Sequence, residues 1–510
     1  MAVQAFPASA VTNRLARNRL SWGTLGGYVV ALAAPLTVVG AGLTNGWAVT
    51  GLTSIPIAYL AVALILWWFA VGYVALGRRI PNAGALYVTI AAGIGRVAAV
   101  AAGLVAVVSY AAMEAGLLGG FGVAGGRQIA ELFGPDISPW WVAIAALVVI
   151  TVLGVLKVNL AGRILAIALV AEILAILVFD VIEIAHPHGS VSLAALNPLE
   201  LFGGGGTALV GMVIALTGLV GFEDSYNYSE EAKKGAPWIA VYGALAFTAA
   251  IYALSAWAMT VAAGPDNVVA GAGKYADQYL FHLVSPYVPS WSLRVAQILL
   301  CTSLLAAAIG FSNTGARYFF ALGRDRVLPA VFGRTWSRTA APAGGAIAQS
   351  VLVLAIIVVM VSRGADPETA LFFGGTVFAG YGVLLLMTLC CVAALVYFAR
   401  KRRDENAWQA RIAPVLGFLG LAVIATVTTV NFGTLVGIPN DSFAARALPA
   451  GIGAVAVLGI AWGLLRRATN RTAYGRIGQG GRHLTAGPAA AVPEPSPAAT
   501  SEAVVLGGDG

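Results

Sequence analysis

Residues 207–234 read TALVGMVIALTGLVGFEDSYNYSEEAKK, and this stretch decides the fold. It begins as an apolar run of the kind that spans a membrane. Near mid-depth it meets Gly218 and Gly221, then runs into Phe222, Glu223 and Asp224. Carboxylates at that depth are costly and mark function rather than packing. The glycines beside them predict a helix that breaks inside the bilayer. A break frees backbone N–H and C=O groups, which then need a partner such as a polar ligand.

The rest of the chain supports a membrane setting. Hydrophobic residues make up 59% of 510 and charged residues only 10%, where soluble proteins carry about a quarter charged residues. Twelve apolar runs approach the roughly 20 residues that a bilayer requires. They lie at 22–43, 55–76, 97–124, 139–156, 163–184, 207–226, 237–263, 294–322, 344–362, 370–398, 413–432 and 447–465, and are numbered spans 1–12. Span 4 is the shortest, and span 5 carries Glu172, Asp180 and Glu183. The expected fold is therefore an all-α integral membrane protein with twelve transmembrane helices.

Alternating loops sort the basic residues. Of 30 Lys and Arg, 25 share the side of the N-terminus; only Arg127, Lys274, Arg294, Arg363 and Arg446 fall on the other. The positive-inside rule then places both termini in the cytoplasm of a plasma-membrane protein. The net charge of +8 marks a basic rim on anionic lipid, not a nucleic-acid surface. Residues 1–20 form a basic arm and residues 21–467 the membrane domain. Residues 468–510, rich in Ala, Pro and Gly, form a tail expected to be disordered. No cleavable leader pattern precedes span 1, which doubles as the insertion signal.

Several chemistries find no support. There is no Gly-x-x-x-x-Gly-Lys-Ser/Thr phosphate loop, so ATP is not the expected drive. His186, His188, His282 and His483 lie outside the spans, and Cys301, Cys390 and Cys391 lack metal-ligand spacing. No cofactor, metal or enzymatic reaction is expected.

Span 1 holds a second breaker, Pro35, near mid-depth. Its offset from span 6 is five spans, an odd number, so two five-span units would have opposite orientations. Interrupted helices at matching places in inverted halves point to a secondary-transporter site. The implied architecture is a five-plus-five inverted repeat with helices 1 and 6 discontinuous and two extra C-terminal helices.

Four stretches resemble the amino acid–polyamine–organocation permeases, whose fold is the LeuT-like inverted repeat. They are Pro81-Asn82-Ala83-Gly84-Ala85-Leu86-Tyr87 after span 2, and Gly154-Val155 before span 5. The others are Gly221-Phe222-Glu223 with Ser229-Glu230-Glu231-Ala232, and the run from Asn313 to Asp325 ending span 8. The similarity covers roughly residues 20–466. It departs at Gly40-Ala41-Gly42, which lies near the outer end of span 1, and at Lys233-Lys234-Gly235, where relatives often carry Asn-Pro.

The expected substrate contacts are Ala34, Pro35, Leu36 and Thr37 at one break, and Thr217, Gly218, Gly221 and Phe222 at the other. Tyr110 and Glu114 of span 3 complete the set, with span 8's Ser312 and Asn313 and span 10's Phe378 and Tyr381 at similar depth. Unwound carbonyls of span 6 accept from an ammonium group. The N–H groups and dipole of the second half of span 1 attract a carboxylate. An α-amino acid carries both, and the resemblance implies this mode of binding. The plain alternative is that the glycines only let helices approach closely.

Four carboxylates have competing readings. Glu223 either sits beside the substrate ammonium or caps the second half-helix of span 6 and gates, the preferred role because a first-turn carboxylate suits the helix dipole, with Asp224 solvated in the cavity. Glu114 either faces a cationic substrate or is a buried carboxyl bonded to a neighbouring helix. In some proton-coupled members of the resembled family a lysine on span 5 takes the place of sodium; Glu172 falls near that position with the opposite charge. It is either a protonatable coupling residue or the partner of a cation.

The expected function is secondary active transport of an amino acid by alternating access. Protons are the preferred coupling ion and sodium the alternative, with membrane lipid the other partner. An amine, polyamine or amino-acid exchanger is the second reading, and a non-transporting membrane sensor the third.

Overall fold

A computed structural model describes residues 20–479 except 81–82, 157–158, 336–340 and 401–404. The basic arm up to residue 19, the pair Pro81-Asn82 and the tail from residue 480 lie outside the described residues. Among the described residues there is no strand, only an isolated parallel bridge between Leu20 and Ala232.

Among the described residues, ten helical segments are long and apolar enough to cross a membrane. They fall on spans 1, 2, 3 and 6–12. The other two expected spans are also helices. Pro139–Leu156 has only 18 residues, and Asn159–Ala185 carries the three carboxylates noted above. Span 3, Arg96–Phe133, is the axis of the bundle, with 78% of its most apolar window buried; in span 12, Phe443–Thr469, the share is 22%. Apolar side chains on the outer spans therefore face lipid, while span 3 packs against spans 4, 8, 10 and 12. Small residues allow this approach: a Cβ on Gly119 would sit 2.7 Å from the Pro367 carbonyl.

Two spans are broken at mid-depth. Span 1 runs as Trp22–Leu32, stops at Ala33 and Ala34, and resumes from Pro35 to Thr50. Proline supplies no N–H and disfavours α geometry in the residue before it. Ala34 accordingly turns left-handed at φ 46°, ψ 65°, a strained state for a residue with a Cβ. Pro35 thus opens the second half-helix, and Gly40–Gly42 fall inside it, within a π-helical turn over Val38–Gly42. Span 6 runs as Gly206–Leu219, breaks at Val220 and Gly221, and continues as a 3-10 segment from Phe222 to Tyr228.

Gly221 sits at φ 119°, open to glycine but not to L side chains, and an added Cβ would lie 3.2 Å from that of Leu32. Gly221→Ala is expected to cost about 1–3 kcal/mol, read as a fall in the melting temperature of the purified protein. An unchanged melting temperature would mean that the break relaxes without strain.

The chain remains ordered beyond residue 468. Helix Arg471–Arg476 leads to Gly478, whose N–H donates to the Asp325 carboxylate at 2.8 Å. Tyr87 also donates to that carboxylate, at 2.9 Å. Burial lifts the Asp325 carboxyl to about 6 although the Arg324 guanidinium beside it pulls the other way.

Candidate functional site

The two breaks lie side by side and line one cavity of about 90 Å³. That is several times the 10–15 Å³ that one water needs on the same measure. Ala33, Ala34, Thr37 and Val38 form one wall and Thr217, Gly218 and Val220 another. Met113 and Leu117 of span 3, Phe311 of span 8, and Phe372, Phe373, Thr376 and Val377 of span 10 close the sides. Gly42, Asn45, Tyr59 and Ile214 extend the cavity away from the basic end. Hydroxyls and one amide are its polar side chains; among the described residues no carboxylate, Lys or Arg lines it.

The basic end is shut beneath the breaks. Arg317 Nη2 donates to Glu231 Oε1 at 2.6 Å and its guanidinium lies 3.9 Å from the centre of the Tyr228 ring. Tyr228 meets Tyr28 edge-on at 4.8 Å. Arg324 pairs with Glu230 at 2.8 Å, and Glu230 also accepts from the Ala83 N–H at 3.1 Å. The Leu20 N–H donates to the Glu231 carbonyl at 3.2 Å, and the Leu20 carbonyl accepts from the Lys233 N–H at 2.9 Å. Three of the four stretches that carry the family resemblance therefore meet in one seal.

Four expected contacts line the cavity: Ala34, Thr37, Thr217 and Gly218. Pro35, Leu36, Gly221 and Phe222 belong to the breaks but are not in its lining. Phe222 turns away and meets Phe69 edge-on at 6.0 Å. Tyr110 lies beneath, stacked on Tyr318 at 5.3 Å, with its hydroxyl 3.3 Å from Glu223 Oε1.

Glu114 faces away from the cavity. It is buried in the junction with span 9 and accepts from Gln349 Nε2 at 2.9 Å. This corrects the reading that it meets a cationic ligand: its outlet is an amide 235 residues away in sequence. Asp224 is not solvated either. It is fully buried and accepts from Asn227 Nδ2 at 2.7 Å and Thr314 Oγ1 at 2.8 Å. Glu223 Oε2 accepts from the Gly221 N–H at 2.9 Å, which ties the carboxylate to the break itself. Ser312, Asn313, Phe378 and Tyr381 are absent from the lining; Phe311, Thr376 and Val377, one residue or one turn away, are present.

Glu172 makes the most informative contact. Its Oε1 accepts from the Leu36 N–H at 2.6 Å and from Ser303 Oγ at 2.5 Å. Ser303 in turn accepts from Thr37 Oγ1 at 3.2 Å. A carboxylate from span 5 thus occupies the N-terminus of the second half-helix of span 1, where the N–H groups and dipole favour negative charge. No cation pairs with it among the described ion pairs. The sequence placed a ligand carboxylate at this helix end; in this state a protein carboxyl holds the Leu36 N–H.

A membrane-spanning bundle with two breaks facing one cavity, sealed at one end, defines a transporter. The chain belongs to the amino acid permease family, whose pattern it matches over residues 23–457, and so to the amino acid–polyamine–organocation superfamily. An uncharacterised transporter of Mycobacterium tuberculosis is 27% identical over 457 residues, covering 87% of this chain and 88% of that protein. The branched-chain amino acid permease BcaP of Lactococcus lactis is 25% identical over 397 residues, covering 71% and 79%. Two crystal structures of a manganese transporter of Eremococcus coleocola share the fold, with TM-scores of 0.50 and 0.52 over 90% of this chain and 97% of that one, at 14% and 13% identity.

Proposed function

We propose that the chain is a proton-coupled secondary transporter that carries α-amino acids with apolar side chains. It would act as a twelve-span, five-plus-five inverted repeat in the plasma membrane, both termini in the cytoplasm. The observation that carries the coupling is the contact between Glu172 and the Leu36 N–H. One N–H cannot hold two carboxylates. With Glu172 ionised, the helix end is occupied. Protonation weakens its hold and frees the N–H and dipole for the carboxylate of a substrate. Proton and substrate are then bound together, which is the condition for symport.

Lining chemistry supports the substrate class. The substrate side chain would meet Val38, Met113, Ile214, Phe311 and Phe372, an apolar and aromatic wall. Carbonyls at the span 6 break, beside Gly218 and Val220, suit the ammonium group. The family relationship and the named substrate of the Lactococcus relative favour the same class. A polyamine would need an anionic subsite, and the cavity lining holds no carboxylate.

With the N-terminus inside, the cavity lies on the outer side of the breaks and the Arg317–Glu231 seal on the inner side. Alternating access would break that seal and close the outer half-helices over the substrate. Uptake of L-leucine into proteoliposomes that are acidic outside tests the proposal: accumulation is expected, and no flux of any apolar amino acid would contradict it.

A further inference from the structure

We propose that Asp180 and Glu183, in the outer half of span 5, form a proton-loading site that supplies Glu172. This rests on the reading of Glu172 as the coupling residue. Both carboxyls are buried, 2% and 1% exposed. Asp180 Oδ2 accepts from Ser255 Oγ at 3.0 Å, while its Oδ1 and both oxygens of Glu183 have no hydrogen-bond partner among the described residues. Two adjacent buried carboxylates that share a single hydroxyl donor are not tenable as a pair of anions. The pair must hold a proton or a cation.

A proton fits better than a metal ion. The two carboxyls and the one hydroxyl project from continuous helices, whose backbone carbonyls are engaged in helix bonds. Ca2+ and Mg2+ draw six or more oxygen ligands, waters among them, commonly from flexible loops.

Neighbouring groups agree. The elements packed on span 5 are spans 1, 7 and 8 and the outer helix Tyr279–Val284. The titratable groups they turn towards its acidic face are Tyr252, beside Glu172, and Tyr279, beside Glu183. Burial pushes the Tyr279 phenol up to about 12, and the Glu183 carboxyl adds to the rise. None of the described ion pairs joins Lys or Arg to Asp180 or Glu183.

Helix geometry sets the direction. Residues three apart share a face. Asp180 is eight residues beyond Glu172, and 1.5 Å per residue places it about 12 Å nearer the outer surface. Span 7 runs alongside, with Ser255 on Asp180 and Tyr252, one turn earlier, beside Glu172. The Tyr252 hydroxyl donates to the Ala33 carbonyl at 2.8 Å, at the span 1 break. A proton from outside would protonate Glu183, pass to the Asp180 carboxylate, and end on Glu172. One proton enters per cycle and no substrate bond changes.

The test uses the full chain in proteoliposomes with L-leucine as probe. Glu183→Gln and Asp180→Asn are expected to slow acid-driven uptake and proton influx, read with an internal pH dye, about tenfold. Leucine counterflow at fixed pH should stay within twofold of wild type, and Glu183→Asp should restore uptake. Wild-type acid-driven uptake in both neutral variants would overturn the proposal, as would equal loss of counterflow and uptake in variants with wild-type melting temperatures. If the neutral variants do not fold, Ser255→Ala, which removes the one donor to Asp180, is expected to shift the pH dependence of uptake; an unchanged profile would overturn the proposal. Glu172→Gln separates the two ideas. Full coupling in that variant would refute the Glu172 reading itself, whereas lost coupling there with wild-type Glu183→Gln would refute only the loading site.

Discussion

Glu172→Gln is expected to abolish proton-driven accumulation while leaving the protein folded. Glutamine keeps an oxygen that accepts from the Leu36 N–H and Ser303 Oγ, the contacts made at 2.6 and 2.5 Å by the native carboxylate. It removes only the charge that cycles. One coupled proton across one pH unit is worth 1.36 kcal/mol, or about a tenfold concentration ratio. Wild-type vesicles under that gradient should therefore concentrate leucine about tenfold, and the variant should only equilibrate it. Glutamine also resembles the protonated carboxyl, so leucine affinity in the variant should lose its dependence on pH. Counterflow, which needs no net proton movement, should persist. Tenfold accumulation by the variant would remove Glu172 from the coupling step.

Gly218→Val is expected to eliminate transport by filling the cavity. A Cβ on Gly218 would lie 3.1 Å from both the Tyr59 hydroxyl and Val38 Cγ1, all three residues being part of the lining. The two further methyl groups of valine have only the cavity of about 90 Å³ to enter. Alanine there overpacks by one methyl, at about 1–3 kcal/mol of stability, and narrows the cavity less than valine does. Valine should leave no measurable uptake or thermal stabilisation by leucine, and should lower the melting temperature as well, because its Cβ overpacks Tyr59 and Val38. A valine variant that transports normally would place the substrate elsewhere.

Local signals revealed the breaks but not what faces them. Pro35 forces its disruption through its own ring, and the chain turns left-handed at the residue before it. Gly218 and Gly221 advertise the other, and only Gly221 takes a backbone state that needs glycine. The carboxylates were conspicuous because charge in an apolar span is rare, yet their roles depend on distant partners. Glu114 finds Gln349, Asp224 finds Thr314, and Glu172 finds Leu36. These pairings join helices far apart in sequence, and no spacing within one helix encodes them.

The cavity wall was hidden for a second reason. Tyr59, Met113, Phe372 and Val377 are apolar or aromatic residues in apolar spans, chemically indistinguishable from lipid-facing neighbours until the bundle is assembled. Helix Arg471–Arg476 was not legible because a low-complexity stretch begins close behind it; it is short, and Gly478 is held by Asp325 of another span end. Composition reports on segments, and these contacts belong to single residues.

The most direct measurement is leucine flux in proteoliposomes carrying the purified full chain, with the outer medium one pH unit more acidic than the lumen. The expected result is transient accumulation of L-leucine to about ten times the external level, for one proton per substrate. A protonophore should collapse it, and isoleucine and valine should compete where lysine and spermidine do not. No flux of any apolar amino acid, or accumulation indifferent to the protonophore, would contradict it.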